Sequence, residues 1–169
     1  MDFRSELTAQ VPHLRRFARA LAGDAALADD LVQDCVERAL RKQHLFDETR
    51  SLRTWLFTIL RNLFISELRR NGRTSAVKSV DDLQAGEDGV RPEQESSLAL
   101  SDIVMALDRL PSVHREVLLL VALEDMSYRE IAEVTGVPVG TVMSRLSRAR
   151  LCLRAVLEEG EHMGLRRIK

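Results

Sequence analysis

The chain has 169 residues, of which 45% are apolar, 30% are charged and only 4% are aromatic. Its 25 Lys and Arg residues against 26 Asp and Glu residues give a net charge of -1. This balance argues against a protein that coats nucleic acid or acidic membranes over its whole surface, so any basic surface must be local. The apolar runs are shorter than the roughly 20 residues of a membrane span, and no signal-peptide core follows Met1, so we expect a cytoplasmic protein.

Apolar residues recur at intervals of three and four throughout the chain, which predicts an all-α protein. The first predicted helix covers residues 5–22, with a break or a new start near Pro12 and an end at Gly23. Asp24 is a suitable N-cap for the second helix. The predicted buried stripe of this second helix is Leu27, Leu31, Cys35 and Leu40, flanked by Ala28, Val32, Val36 and Ala39.

The polar face of the second helix carries Asp30, Gln33, Asp34 and Glu37. Residues 43–50 lose the helical period and predict a loop, after which Ser51 caps a third helix that runs to about residue 71. The apolar face of the third helix is Leu52, Trp55, Leu56, Ile59, Leu60, Leu63 and Phe64. We interpret Trp55 and Phe64 as core residues, whereas Phe46 could either pack in the core or stack on an unpaired base.

The end of the third helix is basic, because Arg61, Arg69, Arg70 and Arg73 face only Glu67. The composition then changes over residues 74–97, which contain six acidic and two basic residues and almost no large apolar side chain. Such a segment cannot bury enough surface to offset the entropy of ordering it, so it predicts a linker. The sequence therefore predicts two small helical modules joined by an acidic tether.

The second half opens with a predicted helix over residues 98–110, and Ser112 is the expected cap of the next helix, 113–123. Residues 117–121 are apolar all round, which is typical of a helix at the centre of its module or half buried in a partner. Ser127 and Glu130 have the spacing of a capping box for a short helix. Gly136 ends that helix, and Pro138 begins the last one. The expected stripe of the last helix is Val142, Leu146, Ala149, Leu153, Val156 and Leu157.

Residues 127–154 have the order and lengths of a helix-turn-helix, a motif that places its second helix in the major groove. The exposed side of that helix offers hydroxyl and guanidinium groups, which can bind phosphates and base edges. These side chains are Thr141, Ser144, Arg145, Ser147, Arg148 and Arg150. A solvated basic helix face is the alternative for the arginines alone, and the capping box and turn glycine favour DNA binding.

The sequence predicts neither an enzyme nor a cofactor or metal site. Its histidines are dispersed at positions 13, 44, 114 and 162, and none has a carboxylate or cysteine partner at catalytic spacing. No phosphate-binding glycine loop is present. Cys35 and Cys152 form no metal-ligand spacing, and we expect both to be reduced, buried thiols.

Three segments resemble one family closely. They are the run 29–34 followed by Val36, the run 55–62 (WLFTILRN) and the run 140–150 (GTVMSRLSRAR). In this order they resemble the extracytoplasmic-function (ECF) sigma factors of bacterial RNA polymerase, and the resemblance covers nearly the whole chain. It implies sigma region 2 at residues 1–73, a linker at 74–97, sigma region 4 at 98–158 and a tail at 159–169, without a region 3 domain.

The resemblance also implies partners and site residues. Asp30, Gln33, Asp34 and Glu37 would dock on the clamp helices of core RNA polymerase. Promoter DNA would be melted at the minus-10 element by a site that captures a flipped base, at a cost of a few kcal/mol per unstacked base. The implied minus-10 residues are Phe46, Arg53, Arg61, Asn62, Arg69 and Arg70.

The implied minus-35 residues are Thr141, Met143, Ser144, Arg145, Ser147, Arg148 and Arg150. Among them Ser144, Ser147 and Arg148 would read bases, and Arg145 and Arg150 would hold phosphates. Met143 and Ser147 depart from relatives that carry a basic and an aromatic residue there. The apolar run 117–121 would partly face the polymerase flap, and an anti-sigma factor would control the protein in a stress response. The segment 56–62 has features of the general-stress subgroup of alphaproteobacteria, whereas the second half resembles other subgroups as much.

The predicted linker is long enough for this role. Two promoter elements about two helical turns apart are separated by roughly 70 Å. The predicted linker, residues 74–97, reaches at most about 80 Å when it is fully extended. Its acidic charge would suit a segment that lies in the RNA path of the polymerase.

Three other functions fit the sequence less well. A sigma-like mimic that only occupies an anti-sigma factor would share the fold, but it would have no reason to keep basic DNA faces and would often carry a receiver domain, which we do not expect here. A helix-turn-helix repressor leaves the first module unexplained. A small helical enzyme would need a catalytic cluster.

Overall fold

The computed structural model describes residues 2–72 and 97–166, with side chains described for 2–72 and 103–158. Within these ranges the chain forms seven α-helices, which confirms the all-α prediction. The helices are α1 (Phe3–Ala22), α2 (Ala25–Arg41), α3 (Leu52–Arg70), α4 (Ser97–Asp108), α5 (Ser112–Ala122), α6 (Tyr128–Thr135) and α7 (Val139–Arg166). The predicted linker lies outside the described residues apart from Ser97, where α4 begins.

Helices α1, α2 and α3 form the first module. Asp24 accepts a hydrogen bond from the backbone N–H of Leu27 at 2.8 Å, which confirms the predicted cap of α2. Ser51 likewise accepts from the N–H of Thr54 at 3.3 Å at the start of α3. Both caps satisfy a backbone donor that the first turn of a helix would otherwise leave unpaired.

Two predictions for the first module are wrong. Helix α1 continues through Pro12; Pro12 is exposed, and the buried side chains of Leu14 and Phe17 hold the helix in place despite the lost hydrogen bond. Leu40, predicted as core, is 38% exposed, because it lies in the last turn of α2, which ends at Arg41. Conversely, Phe57 is fully buried, and its ring lies 5.3 Å from that of Phe17.

Helices α4 to α7 form the second module. The start of α5 differs from the prediction, because Ser112 is the first helical residue and Pro111 occupies the N-cap position. Val117, Leu119 and Leu120 are buried, so the apolar run of α5 lies at the centre of its module. Helix α7 continues to Arg166, through the stretch predicted as a tail.

The two modules pack against each other, with α3 against α6 and α1 against α5. Their buried side chains form one continuous cluster that reaches from Leu7 to Leu146. Among the described residues, none of the helices is long and apolar enough to span a membrane.

Candidate nucleic-acid interface

The short helix α6 of the predicted helix-turn-helix begins and ends as the sequence predicts. The backbone N–H of Ser127 donates to the Glu130 carboxylate at 2.8 Å, and the N–H of Glu130 donates to the Ser127 hydroxyl at 3.3 Å. The Ser127 backbone N–H and hydroxyl, which both donate to this carboxylate at 2.8 Å, hold the pKa of Glu130 below its ordinary value. Gly136 then ends α6 in the left-handed region at φ 69°, a conformation that glycine adopts without steric cost. The capping-box prediction is confirmed.

Helix α7 presents a polar face to solvent because its apolar stripe is buried. Val142, Leu146 and Ala149 are buried against the module. The exposed predicted DNA contacts on this helix are Met143, Ser144, Ser147, Arg148 and Arg150. Side chains three and four positions apart share one helical face, so Ser144, Ser147 and Arg148 form a contiguous polar surface.

Two of the predicted DNA contacts lie closer to the module. Thr141 is half-buried, and its carbonyl accepts a hydrogen bond from Ser144 Oγ at 3.0 Å. Arg145 is half-buried too, and its Nη1 has no hydrogen-bond partner among the described residues. Its charge lies near His114 on α5, whose pKa is lowered by burial and further by Arg148 and Arg145. Arg145 therefore borders the α5 side of the exposed face.

The predicted minus-10 residues lie in different surroundings. Phe46 follows a short 3₁₀ turn and is half-buried in an aromatic cluster, where its ring lies 5.2 Å from Trp55 and 5.9 Å from Phe3. Asn62, Arg69 and Arg70 are exposed along α3.

Arg53 and Arg61 instead contact the second module. Arg53 Nη2 lies 2.9 Å from Glu124 Oε2, and Arg61 Nε lies 2.5 Å from Glu116 Oε1. Neither pairing is among the predictions made from the sequence. Glu116 is an acid inside an apolar helix, which hints at a buried partner, but Glu124 in the turn after α5 has the sequence context of an ordinary surface residue.

The predicted docking face of α2 is exposed as a unit, since Asp30, Gln33, Asp34 and Glu37 all lie on the solvent side. Gln33 Nε2 donates to Glu37 Oε1 at 3.3 Å. Glu37 Oε2 also pairs with Arg41 Nη2 of the same helix at 3.4 Å. The face is acidic and exposed, which makes it available to a basic partner surface.

The fold and its exposed helix define a two-module DNA-binding protein with a helix-turn-helix. The family model described as the Sigma2 domain of PhyR matches residues 7–61, and the model described as Sigma-70, region 4 matches residues 100–153. The ECF RNA polymerase sigma factor EcfG of Rhodopseudomonas palustris is 43% identical over 156 residues, which cover 92% of this chain and 85% of that relative. The chain therefore belongs to the ECF RNA polymerase sigma factors.

Solved structures agree with this assignment. The sigma factor RpoE from Bartonella quintana, solved in complex with the anti-sigma factor NepR, is 39% identical with a TM-score of 0.77; the match covers 93% of this chain and 97% of RpoE. The anti-anti-sigma factor PhyR, solved with NepR from the same organism, has a TM-score of 0.59 at 17% identity. That match covers 88% of this chain but only 49% of PhyR, and it shows a shared fold alone.

Proposed function

We propose that this chain binds core RNA polymerase and directs it to promoters with a minus-35 and a minus-10 element. The observation that carries the proposal is the pairing, in one ECF sigma factor, of an exposed acidic face on α2 with an exposed Ser/Arg face on the second helix of a helix-turn-helix. The first face binds the polymerase and the second reads the promoter. Such a protein is an initiation factor rather than an enzyme, and it works in the cytoplasm with the polymerase.

The minus-35 element is read by α7 in the major groove. Arg148 takes a guanine edge bidentately, and Ser144 and Ser147 bond base edges beside it. Arg145, Arg150 and Thr141 hold phosphates, which sets the register without reading sequence. Met143 offers an apolar side chain that suits a thymine methyl group.

The minus-10 element is opened on α3 and the loop before it. Asn62 and the aromatic ring of Phe46 hold a flipped base by hydrogen bonding and stacking. Arg53 and Arg61 bind the neighbouring backbone, as do Arg69 and Arg70 at the end of the helix. Since Phe46 packs on Trp55, base capture draws on an aromatic surface that is already assembled.

The activity is controlled by an anti-sigma factor. The support is that the related RpoE of Bartonella quintana was solved in complex with the anti-sigma factor NepR. The acidic α2 face and the exposed apolar residues Leu40 and Leu45 near it give such an inhibitor a surface on which to compete with the polymerase.

The role of α7 makes a direct prediction about sequence discrimination. Replacing Arg148 and Ser144 by Ala should reduce discrimination between the correct and a mismatched minus-35 duplex by about 1 to 3 kcal/mol, because base-edge bonds are lost. Fluorescence anisotropy of the reconstituted holoenzyme on the two duplexes measures this. Arg150→Ala is the matched control, and it should weaken binding to both duplexes equally. Equal discrimination by the Arg148/Ser144 variant and the wild type would contradict the assignment.

A sigma-like mimic is the second candidate, and the match of residues 7–61 to the Sigma2 model of PhyR favours it. The basic face of α7 argues for promoter binding, because a mimic has no use for it. Binding to an anti-sigma factor without any transcription in the presence of core polymerase would decide for the mimic.

A further inference from the structure

A carboxylate of the second module is fully buried against three side chains of the first. Glu124 follows α5, and its side chain has 0% exposure. Arg16 of α1 approaches Glu124 Oε1 at 2.9 Å through Nη2 and 3.1 Å through Nε. His13 of α1 and Arg53 of α3 approach Oε2 at 3.0 and 2.9 Å.

The backbone around Glu124 joins the same network. Arg16 donates to the carbonyl of Leu123 at 2.5 Å, and Arg53 donates to the carbonyl of Glu124. A turn of the second module is thus bound through both its side chain and its main chain. Charge-assisted bonds of this kind are stronger than neutral ones.

A second buried carboxylate lies further along the same boundary. Glu116 of α5 pairs with Arg61 of α3 at 2.5 Å, and the exposed fractions of the two side chains are 6% and 16%. Burial raises the pKa of Glu116, and Arg61 opposes that rise. Arg115 adds a third link by donating to the carbonyl of Leu21 in α1 at 3.2 Å.

The closed packing is incompatible with reading two promoter elements at once. The elements are roughly 70 Å apart, whereas a compact chain of this length has a radius of gyration of about 15 Å. Moreover, Arg53 and Arg61 cannot hold DNA phosphates while they hold Glu124 and Glu116. The modules must therefore separate before both elements are bound.

We infer that the free chain inhibits itself: Glu124 and Glu116 occupy Arg53 and Arg61 in place of promoter phosphates, and DNA replaces the carboxylates when the modules separate. This inference rests on the proposed function, which assigns the two arginines to DNA. Each arginine exchanges one anion for another, so the exchange leaves no buried arginine unpaired. An element with two such arrangements of similar free energy can act as a switch.

The test compares the free full-length wild type with Glu124→Gln, Arg16→Gln and Asp125→Asn. The first two weaken the network without changing a proposed DNA contact. Asp125→Asn is the matched control, because Asp125 is the exposed neighbour of Glu124 and its substitution removes the same charge. Small-angle X-ray scattering reports the radius of gyration, and fluorescence anisotropy reports binding to a labelled single-stranded oligonucleotide of random sequence.

We expect the wild type and Asp125→Asn to be compact, and Glu124→Gln and Arg16→Gln to have a larger radius of gyration. Freeing Arg53 should tighten oligonucleotide binding by about 10- to 100-fold, since apparent affinity scales with the competent fraction. Arg16→Gln is the more stringent variant, because it loses a positive charge and should still bind DNA more tightly. It also decides the matter if circular dichroism shows that Glu124→Gln is unfolded.

The inference is overturned if both variants stay compact, if the wild type is already extended, or if the variants expand without binding DNA more tightly. None of these readouts involves polymerase. Failure of the inference is therefore distinct from failure of the proposed function, which would appear as absent transcription.

Discussion

Cys35 shows how burial sets the chemistry of a single side chain. It lies in the core of the first module with 0% exposure, and its thiol donates to the carbonyl of Leu56 at 3.4 Å. Burial raises the pKa of Cys35 to about 12. Because the thiolate is the nucleophile, Cys35 is unreactive near neutral pH. Cys152 lies half-buried on α7, so the expectation of two buried thiols holds for Cys35 and only in part for Cys152.

This difference predicts selective alkylation. Iodoacetamide at neutral pH should modify Cys152 in the folded protein and Cys35 only after denaturant is added. Mass spectrometry of peptides measures both sites in one sample, and Cys152→Ser provides the control. Equal modification of the two thiols in the folded protein would show that Cys35 is not held in the core.

At the scale of the element, α5 and α7 share a boundary on which charges are crowded. His114 on α5 is buried, and its pKa is lowered first by burial and then by Arg148 and Arg145 on α7. Glu116, two residues further along α5, has its pKa raised by burial. Burial on α5 thus disfavours the charged form of both His114 and Glu116, beside arginines proposed to contact DNA.

His114 makes stability depend on pH in a defined direction. The unfolded chain takes up a proton near the ordinary histidine pKa of about 6.5, whereas folded His114 does so only at lower pH. The contribution of His114 to the free energy of unfolding is therefore fully present above a pH of about 6.5, and it decreases as the pH falls from there towards the lower pKa of the folded state. Thermal melts from pH 7.5 to 5.5 should show a smaller loss for His114→Gln than for the wild type.

Glu116 acts with the opposite sign, since burial makes its folded state take up a proton more readily than the unfolded chain. That contribution is present in both proteins, so the difference between them isolates His114. Parallel losses of stability in the two proteins would contradict the assignment.

The elements were largely predictable because their signals are local. Helix starts are predictable from capping hydrogen bonds that span only three residues, as at Asp24, at Ser51 and at the pair Ser127 and Glu130. Pro12 was misread because a local rule was overridden by tertiary packing of the helix around it. Ser112 was misread because Pro111 already supplies a fitting start for α5.

At the scale of the whole molecule, the two modules were predictable from the composition change at residues 74–97, but their mutual packing was not. The pairs that join the modules are far apart in the sequence, 71 positions for Arg53 with Glu124 and 108 for Arg16 with Glu124, and they leave no periodic signal. For the same reason Arg53 and Arg61 could be recognised as basic residues, while their partners could not. The near-zero net charge includes carboxylates and guanidinium groups that pair with one another between the two modules.

The central claim is that this chain makes core RNA polymerase promoter-specific. The most direct measurement is run-off transcription by core polymerase, with and without the chain, from a template library randomised at both promoter elements. We predict transcripts only with the chain, from templates that share both elements, and loss of minus-35 selection with Arg148→Ala. Core binding without transcripts would contradict promoter recognition and favour the mimic, and absence of core binding would contradict the sigma function itself.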